Sequence, residues 1–441
     1  MERFRIVKIE TCGMKGICSP VSIEFENQTL SSSIFNTQSI KAIYGANGSG
    51  KTSIITSLDV YKNVCFDSSY LYSYSATLKK LINKKTHKFS FSVYFVSERK
   101  KAFYHSIVLD ASSDKPFIER ESIGIITGRT INEGIKEVVR IENGKLVFYS
   151  ETTKVGQDKY DSVVKDSINK LSEYRSVITL FTDKVFYINT TSIKGELMNN
   201  EVLSSLLKTY LFVNDIVVYL SAIDRHNETS WDSFAEYVAE QQKEFETKNV
   251  QDRLFYVSSS TTVPKKLFPW YEKQIEKTSQ FIKLFKEQLI GIKIIKISNG
   301  DNYQCRLEMV YEDYIVDYEY ESAGIKNLIR MFICLEHSSR GGIAFIDEMD
   351  VNINEINLER LFSYFMKYGK GQICVTIHNT SPMKILKGGK HSIDFISSSN
   401  GIVPWIKNGA KSPTVDFKEG MIPGIPFNVN DFDFISIFEE N

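Results

Sequence analysis

Gly45-Ala46-Asn47-Gly48-Ser49-Gly50-Lys51-Thr52 is the stretch on which the reading turns. It meets the pattern G-x-x-x-x-G-K-[ST] at every required position. The strand-like run Ile40–Tyr44 leads into it, and Ser53–Val60 reads as the helix that follows. The glycines let backbone N–H groups turn toward an anion with no Cβ in the way. The helix presents the positive end of its dipole to the same point. Gly45, Asn47, Gly48, Ser49, Gly50 and Ser53 are therefore expected to line a triphosphate. Lys51 would reach its β- and γ-phosphates, and the Thr52 hydroxyl would hold Mg²⁺. ATP and Mg²⁺ are the expected ligands.

Two later stretches fit the same chemistry. Gly342-Ile343-Ala344-Phe345-Ile346-Asp347-Glu348 is an apolar strand tipped with two acids. At the C-terminal end of a parallel strand they would point into the ligand crevice. Asp347 would bind Mg²⁺ through water, and Glu348 would polarise the attacking water. Taken alone, the stretch also reads as a core strand with a solvated turn; a phosphate loop in the same chain favours the first reading. Ile373-Cys374-Val375-Thr376-Ile377-His378 places a histidine just past another buried-type strand. His378 would sense the γ-phosphate or orient the water, the plainer alternative being a capping or buried histidine.

Glu321-Ser322-Ala323-Gly324-Ile325-Lys326 lies between a strand and a helix. Ser322 can cap that helix and leave N–H groups free at its end. The end is either an ordinary N-cap or a second anion site. One nucleotide needs one phosphate loop, so a second site would serve a neighbouring subunit, with Ser322 and Gly324 acting in a homo-oligomer.

Around these motifs, Phe4–Ile9, Val21–Phe25, Phe89–Val96 and Ala102–Leu109 alternate like strands, the last two as a hairpin. Helical spacing marks Asp161–Tyr174, Asn200–Leu220, Ser230–Phe245 and Trp270–Leu289, with no sustained heptad. Strand patterns return at Ile292–Ile297, Tyr303–Tyr311 and Tyr314–Tyr320. The helices Gly324–Ser338 and Leu358–Tyr368 then alternate with the apolar strands Ile343–Ile346 and Ile373–Ile377. The tail from Thr380 to Asn441 is rich in turns, aromatics and prolines. Its aromatics Trp405, Phe417, Phe427, Phe432, Phe434 and Phe438 either cover their own sheet edge or anchor a partner. The expected division is 1–155, 156–290 as a helical insertion, and 291–441.

Lysine plus arginine and aspartate plus glutamate number 54 each, which argues against a generally basic nucleic-acid coat. Lys265-Lys266 and Lys283–Glu287 read as solvated helix faces or as DNA contacts. None of the six cysteines forms a C-x-x-C pair, so zinc is not expected and the thiols read as reduced. The N-terminus MERFRIVKIETCG lacks a signal-peptide core, and no apolar run reaches ~18 residues. A cytoplasmic protein with no membrane span is expected.

Phosphate loop, Ser-x-Gly helix start, Asp-Glu and later His occur in that chain order, which resembles ABC-type ATPases. Ser322-Ala323-Gly324 is similar to the LSGGQ signature, with Glu321 and Ile325 departing from it. The N-terminal strand layout resembles the SMC/RecF/OLD-like branch; Lys51 and Asp347 lie about 300 residues apart, which needs an insertion. The strand pair over 89–110, Pro116–Glu121 and the Glu-Ser-x-Gly segment look like the AAA_15/AAA_21 group of bacterial ATPases. That group includes ATPase subunits of phage-defence systems such as PARIS, Septu and the Abi/Rlo type. The resemblance spans roughly residues 1–130 and 285–400.

The resemblance implies an α/β fold: a P-loop NTPase, ABC-type head with a mixed or parallel central sheet, an antiparallel β subdomain and a helical insertion. It implies a head-to-head dimer, each nucleotide lying between Gly45–Thr52 of one subunit and Ser322 and Gly324 of the other. Lys15 matches the basic residue that this branch places near the phosphates, or is an exposed turn lysine. Asn352 and Asn354 stand at the D-loop position, and a Q-loop glutamine has no match. About 60 residues follow His378, too few for a Toprim nuclease domain, so a nuclease or toxin effector would be a separate polypeptide. DNA or a phage protein would be the trigger. The expected function is an ATP-driven switch in antiviral defence. A DNA-maintenance ATPase of the SMC/RecF type and an ATP-bound scaffold are the rivals.

Overall fold

The runs of Val, Ile, Phe and Tyr at every second position form strands because each alternate side chain can be buried on one face of a sheet. The computed structural model describes residues 2–26, 35, 39–99, 101–131, 133–150, 158–182, 200–220, 260–389, 391–397, 399, 401–405 and 412–423. β1 (Phe4–Cys12) and β2 (Val21–Glu24) pair as a hairpin, and β3 (Ser39–Gly45) runs into α1 (Lys51–Phe66). Short helices α2 (Tyr70–Ser73) and α3 (Ser75–Leu81) precede a meander of β4 (Lys88–Ser97), β5 (Ala102–Asp110), β6 (Phe117–Ile126), β7 (Ile135–Glu142) and β8 (Lys145–Tyr149). Then come α4 (Asp158–Asn169), a 3₁₀ turn over Val177–Thr182, α5 (Glu201–Asn214) and β9 (Ile216–Tyr219).

The C-terminal portion begins with β10 (Ser260–Pro264), α6 (Phe268–Lys283), β11 (Leu289–Asn299), β12 (Asn302–Tyr311) and β13 (Ile315–Asp317). It continues through α7 (Ala323–Ser339), β14 (Ile343–Ile346), α8 (Glu355–Tyr368) and β15 (Gln372–Thr376). It ends with α9 (Met383–Leu386), β16 (Ile393–Ile396), β17 (Ile402–Pro404) and α10 (Pro413–Lys418).

The fold is α/β, built on three sheets. One is antiparallel, in the order β2-β1-β4-β5-β6-β7-β8, and a smaller one runs β10-β12-β11 with β13 also on β12. The central sheet runs β17-β16-β3-β15-β14-β9, and every pair from β16 to β9 is parallel. Its strands β3, β14 and β15 are buried at every position. Burial on both faces explains the unbroken apolar run of β14 and the Ile-Cys-Val centre of β15, while in β3 the buried Lys41 is paired with Asp394. Helix α1 lies between the central and antiparallel sheets, placing Ile54, Ile55, Leu58, Tyr61 and Val64 in one core with Phe91 and Phe95. The opposite face of the central sheet packs on α6, α7 and α8. Each fully buried Leu, Ile or Phe contributes about 1.5–3 kcal/mol.

Polar side chains fix the sheets to one another. The Gln372 amide accepts from the Ile6 N–H at 2.8 Å and donates to the Ile6 carbonyl at 2.9 Å, standing in for a missing strand neighbour. Arg5 donates to the Lys370 carbonyl at 2.8 Å, and burial pushes its guanidinium down to about 10. Inside the central sheet, Lys41 of β3 and Asp394 of β16 form an ion pair at 2.8 Å with both side chains 1% exposed.

One expectation is corrected. The helix expected over Asn200–Leu220 stops at Asn214, and Ile216–Tyr219 becomes β9, the neighbour of β14. The run Ile-Val-Val-Tyr, all β-branched or aromatic, suits a two-sided sheet position better than a helix turn. The turn-rich tail also holds a strand that the sequence reading did not mark, β16, which pairs with β3. Its Phe417 stacks on Phe395 at 5.4 Å, covering the chain's own sheet. Ser230–Phe245, Phe427, Phe432, Phe434 and Phe438 lie outside the described residues.

Candidate nucleotide-binding site

The glycine loop leaves β3 at Gly45 and enters α1 at Lys51. Gly48 and Gly50 have φ of 78° and 105°, a left-handed backbone that favours glycine. At Gly45 the demand is space: a Cβ would lie 2.6 Å from Ile396 Cγ2 and 2.7 Å from the Ile396 carbonyl oxygen. Asn47 is exposed at the loop tip, whereas Ser49 and Ser53 are buried. Lys51 folds back over the loop, its ammonium donating to the Gly45 and Ala46 carbonyls at 2.7 and 3.0 Å. Burial lowers its pKa, while the charges of Asp347, Asp350 and Glu348 oppose that shift. The first turn of α1 holds no acid, so its positive end is not neutralised from within.

The acid-tipped strand arrives at the same place. The Thr52 hydroxyl donates to Asp347 Oδ1 at 3.2 Å, and the Thr376 hydroxyl donates to the same oxygen at 2.6 Å. Thr376 Oγ1 in turn accepts the Glu348 N–H at 2.8 Å. The Asp347 N–H is bonded to the Tyr219 carbonyl of β9 at 2.9 Å. Asp347 is fully buried. A buried carboxylate and a hydroxyl at this separation are hard oxygen donors of the kind that fit Mg²⁺.

Glu348 adopts φ 51°, a left-handed conformation costing a non-glycine residue on the order of 1 kcal/mol and found at functional sites. Burial raises its carboxyl pKa, and the like charges of Asp347 and Asp350 add to the rise, against His378 and Lys51. His378 is exposed just past β15, and its charge bears on Glu348. Its N–H and that of Asn379 both donate to Asp350 Oδ2, at 2.9 and 2.6 Å.

Ser322 caps α7, its hydroxyl accepting the Ile325 N–H at 3.4 Å. Glu321, just before the cap, accepts from Tyr311 and from the Ser322 N–H at 2.7 Å. At Gly324 a Cβ would meet Asn352 Cβ at 2.9 Å, so the two loops pack closely within one subunit. Asn352 has φ 68°, and Asn354 caps α8 through the Asn357 N–H at 2.8 Å. Lys15, with φ 48°, is held by the Leu81 carbonyl at 2.7 Å and by Asn83 Nδ2 at 3.2 Å.

The structure thus gathers Gly45–Ser53, Asp347, Glu348 and His378 at the carboxyl edge of the central sheet. Gly324 packs against Asn352, four residues beyond Glu348, and Lys15 is held from the end of α3. Sequence reading missed Thr376 and Asp350. The signal for Thr376 was a polar residue near the end of an apolar strand. For Asp350 it was an acid two residues past Glu348.

No protein-family model matches the chain, and no curated protein matches it. Among solved structures, it is similar to an SMC head domain with an extended coiled coil, bound to the C-terminal domain of ScpA, from Pyrococcus furiosus. That match has 14% identity over 91% of this chain and 96% of the other, at a TM-score of 0.44. An SMC head bound to the C-terminal winged-helix domain of ScpA matches at 13% identity over 92% and 98%, at 0.46. The recombination mediator protein RecF with ATP matches at 13% identity over 92% and 100%, at 0.39.

Proposed function

We propose that this chain binds ATP on Gly45–Thr52 and hydrolyses it with Glu348 as the general base. The observation that carries this reading is the 3.2 Å contact between Thr52, on the first turn after the glycine loop, and Asp347, 295 residues later. The loop N–H groups and Lys51 hold the phosphates. Thr52 and Asp347 hold Mg²⁺, which when bound neutralises phosphate charge. Glu348 orients the water and takes its proton, a role its raised pKa suits. His378 contacts the γ-phosphate side of the site.

In this reading residues 1–155 and 291–441 form one ATPase head, to which the stretch 156–290, expected as a helical insertion, contributes β9 of the central sheet and β10 beside β12. Two heads close on ATP, with Ser322 and Gly324 of one subunit completing the site of the other and Lys15 adding a phosphate contact. Hydrolysis opens the pair, so ATP works a switch. The sequence resemblance supports a setting in bacterial antiviral defence with a separate nuclease or toxin effector, triggered by DNA or a phage protein.

Titration with ATP·Mg²⁺ tests the binding step: Lys51→Ala should abolish it. Glu348→Gln should bind ATP, lose turnover and accumulate as a dimer in light scattering. Turnover unchanged in Glu348→Gln would sink the hydrolytic reading and favour a scaffold. Hydrolysis stimulated by DNA in the purified chain would favour DNA maintenance, and a pull-down lacking any effector would count against defence.

A further inference from the structure

We infer that Asp350 is a positioning residue, which holds the His378–Asn379 turn against the loop that carries Glu348; this deepens the ATPase reading above and rests on it. Strands β14 and β15 end side by side, and each delivers a site residue just beyond its end. Backbone bonding ties the two ends once, through the Met349 N–H to the Thr376 carbonyl at 3.1 Å. Beyond that point the ladder stops, and the N–H groups of His378 and Asn379 have left the sheet. Asp350 Oδ2 accepts both, at 2.9 and 2.6 Å.

The placement of Asp350 follows from the turn around it. Glu348 at φ 51° and Asn352 at φ 68° both adopt left-handed backbone, and the Val351 N–H returns to the Glu348 carbonyl at 3.1 Å. The Ile353 N–H closes on the Asp350 carbonyl at 3.2 Å. The chain therefore doubles back within five residues, which turns the Asp350 side chain toward the neighbouring strand end. A carboxylate accepts only, and one oxygen that takes two N–H groups fixes the direction of a whole turn. The negative charge of Asp350 also bears on Lys51 and on Glu348. One side chain thus touches, by bond or by field, the phosphate-binding lysine, the general base and the histidine turn. Asp350 acts through His378 and Glu348, without taking part in the proton transfer itself.

The test is a double-mutant cycle on steady-state hydrolysis with the full chain. Asp350→Ala should lower kcat at least tenfold with KM within about threefold, because the turn loses its anchor while the phosphate loop is untouched. Asp350→Asn keeps an acceptor oxygen and should restore most of kcat. His378→Ala should lower kcat, and adding Asp350→Ala to it should cost little more, since both changes disable the same turn. Should the alanine variant fail to fold, Asp350→Ser, which keeps at most one acceptor, carries the same comparison. Full turnover in Asp350→Ala or in His378→Ala overturns the inference, as do losses that multiply in the double variant. Glu348→Gln separates the two claims: if it hydrolyses normally, the ATPase reading itself fails. If it is dead while Asp350→Ala is fully active, only the role of Asp350 fails.

Discussion

Thr376 joins the two acids of the site, donating its hydroxyl proton to Asp347 at 2.6 Å and accepting the Glu348 N–H at 2.8 Å. A single hydroxyl so placed sets the rotation of the Asp347 carboxylate and the left-handed turn at Glu348 together. Replacing it with valine keeps the shape, takes the acceptor from the Glu348 N–H and removes one donor from Asp347, at about 1–3 kcal/mol. Thr376→Val should therefore lower both melting temperature and kcat, the latter about a hundredfold. Thr376→Ser should retain most of both. Equal turnover in the valine variant would show that the bridge is idle.

The pH dependence of hydrolysis follows from Glu348. Burial first, and then Asp347 and Asp350, raise its pKa, so its basic form is present only above that raised value. Activity should rise with pH through an acid limb lying above the ~4.3 of an ordinary glutamate. For stability the sign is opposite: the folded state holds this proton more tightly than the unfolded chain. Its contribution favours folding at low pH and is lost as pH rises between the ordinary and raised values. A kcat profile whose acid limb falls at or below 4.3 contradicts the assignment.

Lys41 and Asp394 make a third test, one of stability alone. Both are 1% exposed and 2.8 Å apart, and burial raises the Asp394 pKa despite Lys41. Removing one partner strands a buried charge. Lys41→Met should cost about 3–5 kcal/mol in urea unfolding, whereas the double change Lys41→Met/Asp394→Leu should recover most of it. A single variant as stable as the parent would mean that water already solvates the pair.

Gly45 offers a steric test. An added Cβ would lie 2.6–2.7 Å from Ile396, one of the two contacts being backbone, which cannot rotate away. Gly45→Ala should lower stability by about 1–3 kcal/mol by overpacking. It should also weaken ATP binding, because β16 and the loop must part. Calorimetric titration and thermal melting read the two effects separately.

The parts of the site visible in the chain were those made by consecutive residues. The loop from Gly45 to Thr52, the strand ending in Asp347-Glu348 and the strand before His378 each follow from local spacing and local backbone demands. Thr376 and Asp350 escaped because their local marks, a polar residue near the end of an apolar strand and an acid two residues past Glu348, do not say what they bond to. Their roles depend on the parallel register Ile346↔Val375, which sets Asp347 beside Thr376. β9 escaped for a related reason: four residues after a helix carry too little periodicity to reveal a strand until β14 pairs with them.

The amino-acid order alone determined the glycine turn over Gly45–Thr52 and the helix start behind it, since glycine φ angles and a helix N-terminus involve only neighbouring residues. It also determined that Ile343–Ile346 and Ile373–Ile377 are buried on both faces, through their apolar runs. Only the tertiary structure decided that Thr52 meets Asp347 across 295 residues, and that Thr376 and Asp350 hold the ends of β14 and β15. Those contacts depend on the sheet order β16-β3-β15-β14-β9, which is chosen by how the helices pack on both faces and leaves no mark in local spacing.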